Sequence, residues 1–488
     1  MILRSCLFSK SFRCLAPSAC ALLLVFGSND ALFAIGNLLH TFDDPTVTTS
    51  DSFGWSVAID GDYALVGARR DDTHGTNVGQ AHLFDISTGN LLHTFDNPTV
   101  GAELFGNSVA IAGDYVLIGT IQNLSSSDAP QGQAHLFDAV TGNLLHTFDD
   151  PTVTSSDLFG FSVAIDGHYV LIGDHRDDTN GVDSGQAHLF DAVTGNLLRT
   201  FDDPVVNPNG WGGDLFGFSV AIDGDNVLIG AAQDLEDRDV GQARLFDAVT
   251  GNLLHTFEAP TANLSTAFGT SVAIDGNYVL VGAPEDSTNG SRAGRAHLFD
   301  AVTGILLHTF NDPTPSTFDY FGESVAIDGN HVLIGTSGDD TNGRFVGQVH
   351  LFDAVTGNLL HTFNDPTITT SDSFGWSVAI EGDNVLIGAI QDDTTGANIG
   401  QAHLFTLVED PLPDGDFNGD GIVDGHDFLA WQRNPSIGDL ADWQANYDAN
   451  GSVDNLVTIP EPACGLLLIL GATVSIGRHG SELKNRSR

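Results

Sequence analysis

Between about residues 37 and 408 the chain sets short apolar runs between turn residues, always in the same order. The fullest copy, residues 159–204, reads FGFSVAIDGHYVLIGDHRDDTNGVDSGQAHLFDAVTGNLLRTFDDP. Two runs, 162–165 and 169–172, flank Asp166-Gly167, and Asp-Gly between apolar runs predicts a tight hairpin. A third run, 186–191, meets a fourth, 196–201, across Ala192-Val193-Thr194-Gly195. A four-residue loop ending in Gly suits a type I turn closed by a left-handed residue. No apolar spacing of three and four accompanies these runs, so they read as strands.

The Phe-Gly pair that opens the copy recurs at Phe53, Phe105, Phe159, Phe216, Phe268, Phe321 and Phe374, 52 to 57 residues apart. Seven copies of a four-stranded antiparallel meander predict an all-β, seven-bladed β-propeller. The ends of the repeat support closure. The last copy stops after 401–405 (QAHLF) without its fourth run, and the first copy is preceded by an unpaired 37–42 (NLLHTF). Pairing the two closes the ring and removes two exposed edges.

Composition then narrows the setting. The chain of 488 residues carries 17 Lys+Arg against 64 Asp+Glu, a formal charge of −47, and its lysines, Lys10 and Lys484, lie near the termini. Such a surface repels nucleic acid and anionic lipid, and it suits divalent cations or cationic partners as well as plain solubility in salt. Residues 1–34 read as a secretory signal: Arg4, Lys10 and Arg13, an apolar 15–26, then small residues to Ala34. Cys6, Cys14 and Cys20 fall in this leader and Cys464 in the tail, so disulfides and thiol catalysis are excluded from the body between them.

Phe268-Gly269 followed by Val281-Gly282-Ala283-Pro284 carries the literal signature of FG-GAP repeats, and residues 37–405 resemble that family, the blade type of integrin α-chain propellers. Blades of that type often hold a DxDxDG calcium loop between their first two strands. Here that place holds only a tight turn, as at Asp60-Gly61 and Asp223-Gly224, so those sites do not transfer. The loop between second and third strands is acidic instead, with Asp71-Asp72, Asp177-Asp178, Asp339-Asp340 and Asp392-Asp393. Such pairs either hold a hard cation through oxygen ligands or cap their own turn. Histidines also recur. With Asp85 opposite Asn90, plain register sets His82 against His93, His135 against His146, His297 against His308 and His350 against His361, with His403 facing His40 on closure. Facing imidazoles can bind a transition metal, or simply pack with hydrogen bonds. Among departures from the repeat, the Gly-rich link 205–214 offers Trp211 as a partner-contact residue.

Beyond the prolines at 411 and 413 the pattern changes. Asp416, Asn418, Asp420, Asp424 and Asp427 supply oxygens at positions one, three, five, nine and twelve of a calcium loop, with Gly421 at six and the Ile422 carbonyl at seven. The stretch resembles a dockerin type I repeat, a small α-helical, EF-hand-like module, which implies calcium and a cohesin-like partner; 428–433 can start its exiting helix. Its second half, near 448–454, lacks the central Gly. Pro460-Glu461-Pro462, an apolar 463–476 and a basic end are similar to a PEP-CTERM sorting signal, which implies processing by an exosortase and membrane contact through the tail alone. The expected organisation is therefore a signal peptide at 1–34, the propeller at 35–408, the dockerin-like module at 409–456 and the sorting segment at 457–488.

The chain has no nucleophile elbow, no HExxH and no phosphate loop, and near-identical blades do not suit an active site built from different residues. The reading is an exported, non-enzymatic surface or matrix protein that binds an extracellular protein or polysaccharide and uses calcium as its cofactor. Two alternatives stand beside it. One is a polysaccharide-degrading or other propeller enzyme, since DAVTGNLL is also similar to quinone-dehydrogenase blades, although their repeated tryptophans are absent. The other is a purely structural matrix component.

Overall fold

A computed structural model describes residues 36–407 except 49, 100–103, 122–131, 153–156, 205–212, 233–239, 261–265 and 370, together with Phe428 and Trp431. Among the described residues, twenty-eight strands form seven four-stranded antiparallel sheets. Six sheets are plain meanders. Blade 1, for example, runs Phe53–Asp60, Tyr63–Ala68, Gln80–Asp85 and Leu91–Asp96. The seventh holds Phe374–Glu381, Asn384–Ala389 and Gln401–Thr406, and its outer strand is Asn37–Asp43 from the other end of the repeat. The expected closure is present, with Leu38 opposite Phe405 and Thr41 opposite His403.

The repeated residues explain the ring. Each Phe of the Phe-Gly pair is fully buried, and each core cluster spans two neighbouring blades. Phe105, for instance, packs among Leu65 and Leu83 of blade 1 and Val116 and Phe137 of its own blade. Burying one such ring stabilises by about 1.5–3 kcal/mol. The Gly is forced by backbone: Gly54 has φ +85°, and a Cβ there would sit 2.5 Å from the Gln401 carbonyl oxygen. The Ser two residues on latches the blades. Ser56 Oγ donates to the Gly106 carbonyl at 2.9 Å, and the series continues through Ser108, Ser162, Ser219, Ser271 and Ser324. Ser377 completes the circle by donating to Gly54 O at 2.7 Å.

One expectation about register fails. Thr94, not His93, lies opposite His82, because the outer strand bulges at the second of its two leucines. The extra residue, Leu92, shifts the rest of the strand by one place, and Leu91 and Leu92 both stay exposed. The same bulge recurs in every outer strand, including the closing one, where His40 faces Leu404. No pair of histidines is set face to face by these ladders.

Candidate functional site

The inner strands begin with a second kind of bulge. In blade 1, Phe53 pairs with Ala68 and Ser56 with Gly67, so Gly54 and Trp55 are extra residues; blades 2, 4 and 7 break in the same place. A bulge re-aims the side chain it carries. Here it presents Trp55, Asn107, Phe218 and Trp376, and the equivalent residue in blade 3 is Phe161. These side chains form an arc across five neighbouring blades. The Trp55 and Trp376 rings lie 4.7 Å apart and those of Phe161 and Phe218 5.0 Å apart. Between them, Arg69 stacks 3.0 Å above Trp55 and donates to Asn107 Oδ1 at 3.0 Å, while Asn107 Nδ2 donates to the Phe161 carbonyl. Burial, with Arg70 alongside, pulls the Arg69 guanidinium down to about 9. Trp55 and Trp376, with Ser50, Ser52, Arg70 and Gln391, line an open pocket of about 370 Å³. In blade 6 the same position is Glu323, which burial pushes up to about 7 against the Ser337 hydroxyl that it accepts from.

A second assembly lies where blades join. The link leaving the closing strand brings Asp44, the approach to the inner strand brings Asp51, and the loop after the second strand brings Asp71. Their nearest oxygens lie within 4.8 Å of one another, and the same holds for Asp312, Asp319 and Asp339, for Asp365, Asp372 and Asp392, and for Asp150, Asp157, Asp174 and Asp177. All are buried. Burial pushes Asp44, Asp312 and Asp365 up to about 6 and Asp174 up to about 8, with neighbouring carboxylates adding to the rise. The Thr46 hydroxyl reaches Asp44 Oδ1 (3.1 Å), Asp71 Oδ2 (3.1 Å) and Gln80 Oε1 (2.6 Å), and one hydroxyl proton cannot serve three acceptors. The acidic loops are thus only half solvated: the second Asp caps the turn, as Asp72 does for Asn77 N, while the first turns inward.

The histidines separate into two structural sets. His82, His135, His188, His297, His350 and His403 are buried and share a hydrogen bond with the facing threonine at 3.0–3.1 Å. The outer-strand histidines reach the next blade: His93 Nε2 meets the Val140 carbonyl at 3.2 Å, and a Cβ on Gly142 would lie 2.8 Å from its Nδ1. That contact explains the Gly ending each DAVTG turn. Trp211 and the loop ligands Asp416, Asn418, Asp420, Ile422, Asp424 and Asp427 lie outside the described residues. So do the leader and the sorting tail. Phe428 and Trp431 are helical, with rings 6.0 Å apart. Among the described residues no helix is long and apolar enough to cross a membrane.

The sequence reading missed the aromatic arc, and of each carboxylate cluster it singled out only the loop member, Asp71, Asp177, Asp339 or Asp392, although both assemblies left a trace. The residue after Phe-Gly changes from copy to copy while its neighbours do not, as variable residues on a fixed scaffold would. The carboxylates keep one spacing, 7 and then 20 residues, in Asp44/Asp51/Asp71, Asp150/Asp157/Asp177, Asp312/Asp319/Asp339 and Asp365/Asp372/Asp392.

Among known families the chain matches the FG-GAP repeat, at residues 46–84, 151–190, 205–246, 257–299, 314–352 and 368–405. The matched segments fall in blades 1 and 3 to 7; blade 2, without a DDT loop, folds as a blade all the same. No curated protein matches the chain.

Proposed function

We propose that this seven-bladed propeller of FG-GAP repeats is an exported, non-enzymatic binding protein of the cell surface or matrix whose aromatic arc takes a polysaccharide. The observation that carries the reading is the Trp55–Trp376 pair, partly exposed in an open pocket rimmed by hydroxyl, amide and guanidinium groups. Flat ring faces cover the C–H face of a sugar, while rim groups bond its hydroxyls, the mix of apolar wall and few polar groups that small-ligand sites use. A chain of formal charge −47 disfavours anionic polymers, so a neutral or basic polysaccharide fits best.

The leader at 1–34 and the frequent use of FG-GAP propellers outside the cytoplasm support export. The loop at 416–427 adds calcium to the same reading through Asp416, Asn418, Asp420, Ile422, Asp424 and Asp427, and Trp211 is a further contact on the link before blade 4. A cohesin-like partner and an exosortase belong to the C-terminal segments of this proposal.

The test is retention of the mature protein on a panel of insoluble neutral, basic and acidic polysaccharides, with reducing-end release measured alongside. Trp55→Ala and Trp376→Ala are expected to weaken retention at least tenfold without lowering the melting temperature by more than a few degrees. Retention unchanged in both variants would overturn the site, and sugar release would favour the enzyme. Calcium calorimetry on Asp416→Ala and Asp427→Ala checks the loop, whose ordering on calcium both are expected to abolish.

A further inference from the structure

The four buried carboxylate clusters invite comparison with the blades that depart from them. Blade 4 has Arg244 where other blades have the buried histidine, and its Nη1 lies 2.7 Å from Asp203 Oδ2, the counterpart of Asp44. Blade 5 replaces two of the acids with Ala259 and Thr266, and Arg295, in place of the usual Gln, lies 3.8 Å from the remaining Asp286. Each of these blades supplies its own cation. Blades 1, 3, 6 and 7 keep three or four carboxylates together, and the charges acting on Asp44, Asp312 and Asp365 are those of other carboxylates alone.

A second observation points into the clusters. The buried Nε2 of every inner histidine makes no hydrogen bond, and in blades 1 and 7 it points at the cluster, His82 Nε2 lying 3.8 Å from Asp44 Oδ1 and His403 Nε2 3.9 Å from Asp365 Oδ1. Asp44 Oδ2, Asp150 Oδ2, Asp312 Oδ2 and Asp365 Oδ2 are also buried without a partner. A buried charge left unpaired costs several kcal/mol, so something positive belongs there. Oxygens within 4.8 Å of one another match a shell at about 2.3–2.6 Å around calcium.

We infer that blades 1, 3, 6 and 7 each hold one divalent cation, calcium by donor type and span, in the junction with the preceding blade. The ligands in blade 7 are Asp365, Asp372 and Asp392, and those in the other three blades are their equivalents. These sites are distinct from the hairpin between first and second strands, whose turn in these blades is only two residues long, Gly61-Asp62, Gly167-His168, Gly329-Asn330 and Gly382-Asp383. Each ion ties the link between two blades to the loop after the second strand, so it fastens the ring at four of its seven joints, doing in those blades what an arginine does in blades 4 and 5.

The test uses the full chain with Asp416→Ala and Asp427→Ala, which removes the loop at 416–427 from the count. After EGTA treatment, calcium is added and bound ions per chain are measured by equilibrium dialysis, with magnesium as a parallel arm. About four calcium ions are expected, with one lost on adding Asp392→Asn and one lost on adding His403→Arg, which copies Arg244. Both variants are also expected to melt higher than the parent in EGTA, because each removes or balances a buried charge, and to gain less from calcium. A merely structural carboxylate would lower the melting temperature in EGTA instead. A count that neither variant changes, or no calcium uptake at all, overturns the inference.

Discussion

Burial outweighs nearby carboxylates in setting how the inner histidines answer acid. The pKa of His82, His135, His188, His297 and His350 is lowered to about 4 by burial, and that of His403 to about 3. A folded pKa below the ordinary 6.5 means that, below that pH, the unfolded chain binds more protons than the native one. The stability these residues contribute is therefore complete above pH 6.5 and is lost as pH falls through 4. His135 isolates the effect, since its blade has Asn97 where blades 1, 3, 4, 6 and 7 have an acid; Thr147, Phe105 and the Asp149 carboxylate face it. In His135→Gln the fall in unfolding free energy between pH 6.5 and 4.5 should be shallower by up to one proton, about 1.4 kcal/mol per pH unit. Urea midpoints across that range measure it, and an unchanged slope would contradict the assignment.

Among the elements, what could be read in advance was what the chain writes locally. Asp-Gly and DAVTG turns gave the hairpins, and the third strand of blade 3 was placed at Gln186–Asp191, as found. The facing histidines were misplaced because a plain ladder was assumed. The doublet Leu91-Leu92 already broke the alternation of an outer strand, and a bulge is what such a break encodes. The carboxylate clusters join the link between blades to the loop after the second strand, on either side of a whole hairpin, so their burial became visible only once the two met. The Ser-to-Gly latch was likewise hidden, since its partner lies in the next blade. Ser219→Ala is expected to cost about 1 kcal/mol, the worth of one neutral hydrogen bond, since the Gly269 carbonyl at 2.8 Å loses its donor. Chemical denaturation measures this, and a neutral result would remove the latch from the account.

At the scale of the whole ring, both candidate sites depend on closure by the leading strand. Asp44 follows directly on Asn37–Asp43, and Trp55 meets Trp376 across the joint between blades 1 and 7. Gly36 continues the pattern there: a Cβ at that position would lie 2.5 Å from His361 Nε2, so Gly36 takes the part that a turn Gly plays against His93. Net charge opposes compaction, and ring closure, with the cations inferred above, opposes that repulsion in turn. Amide hydrogen exchange, resolved by peptide, reaches this claim most directly. The amides of 37–43 should be as protected as those of the outer strand Leu91–Asp96, and Leu386 and Leu404 peptides should lose protection when 37–43 is deleted. Exchange of 37–43 within seconds, or a deletion that leaves blade 7 unaltered, would contradict a ring closed by its own first strand.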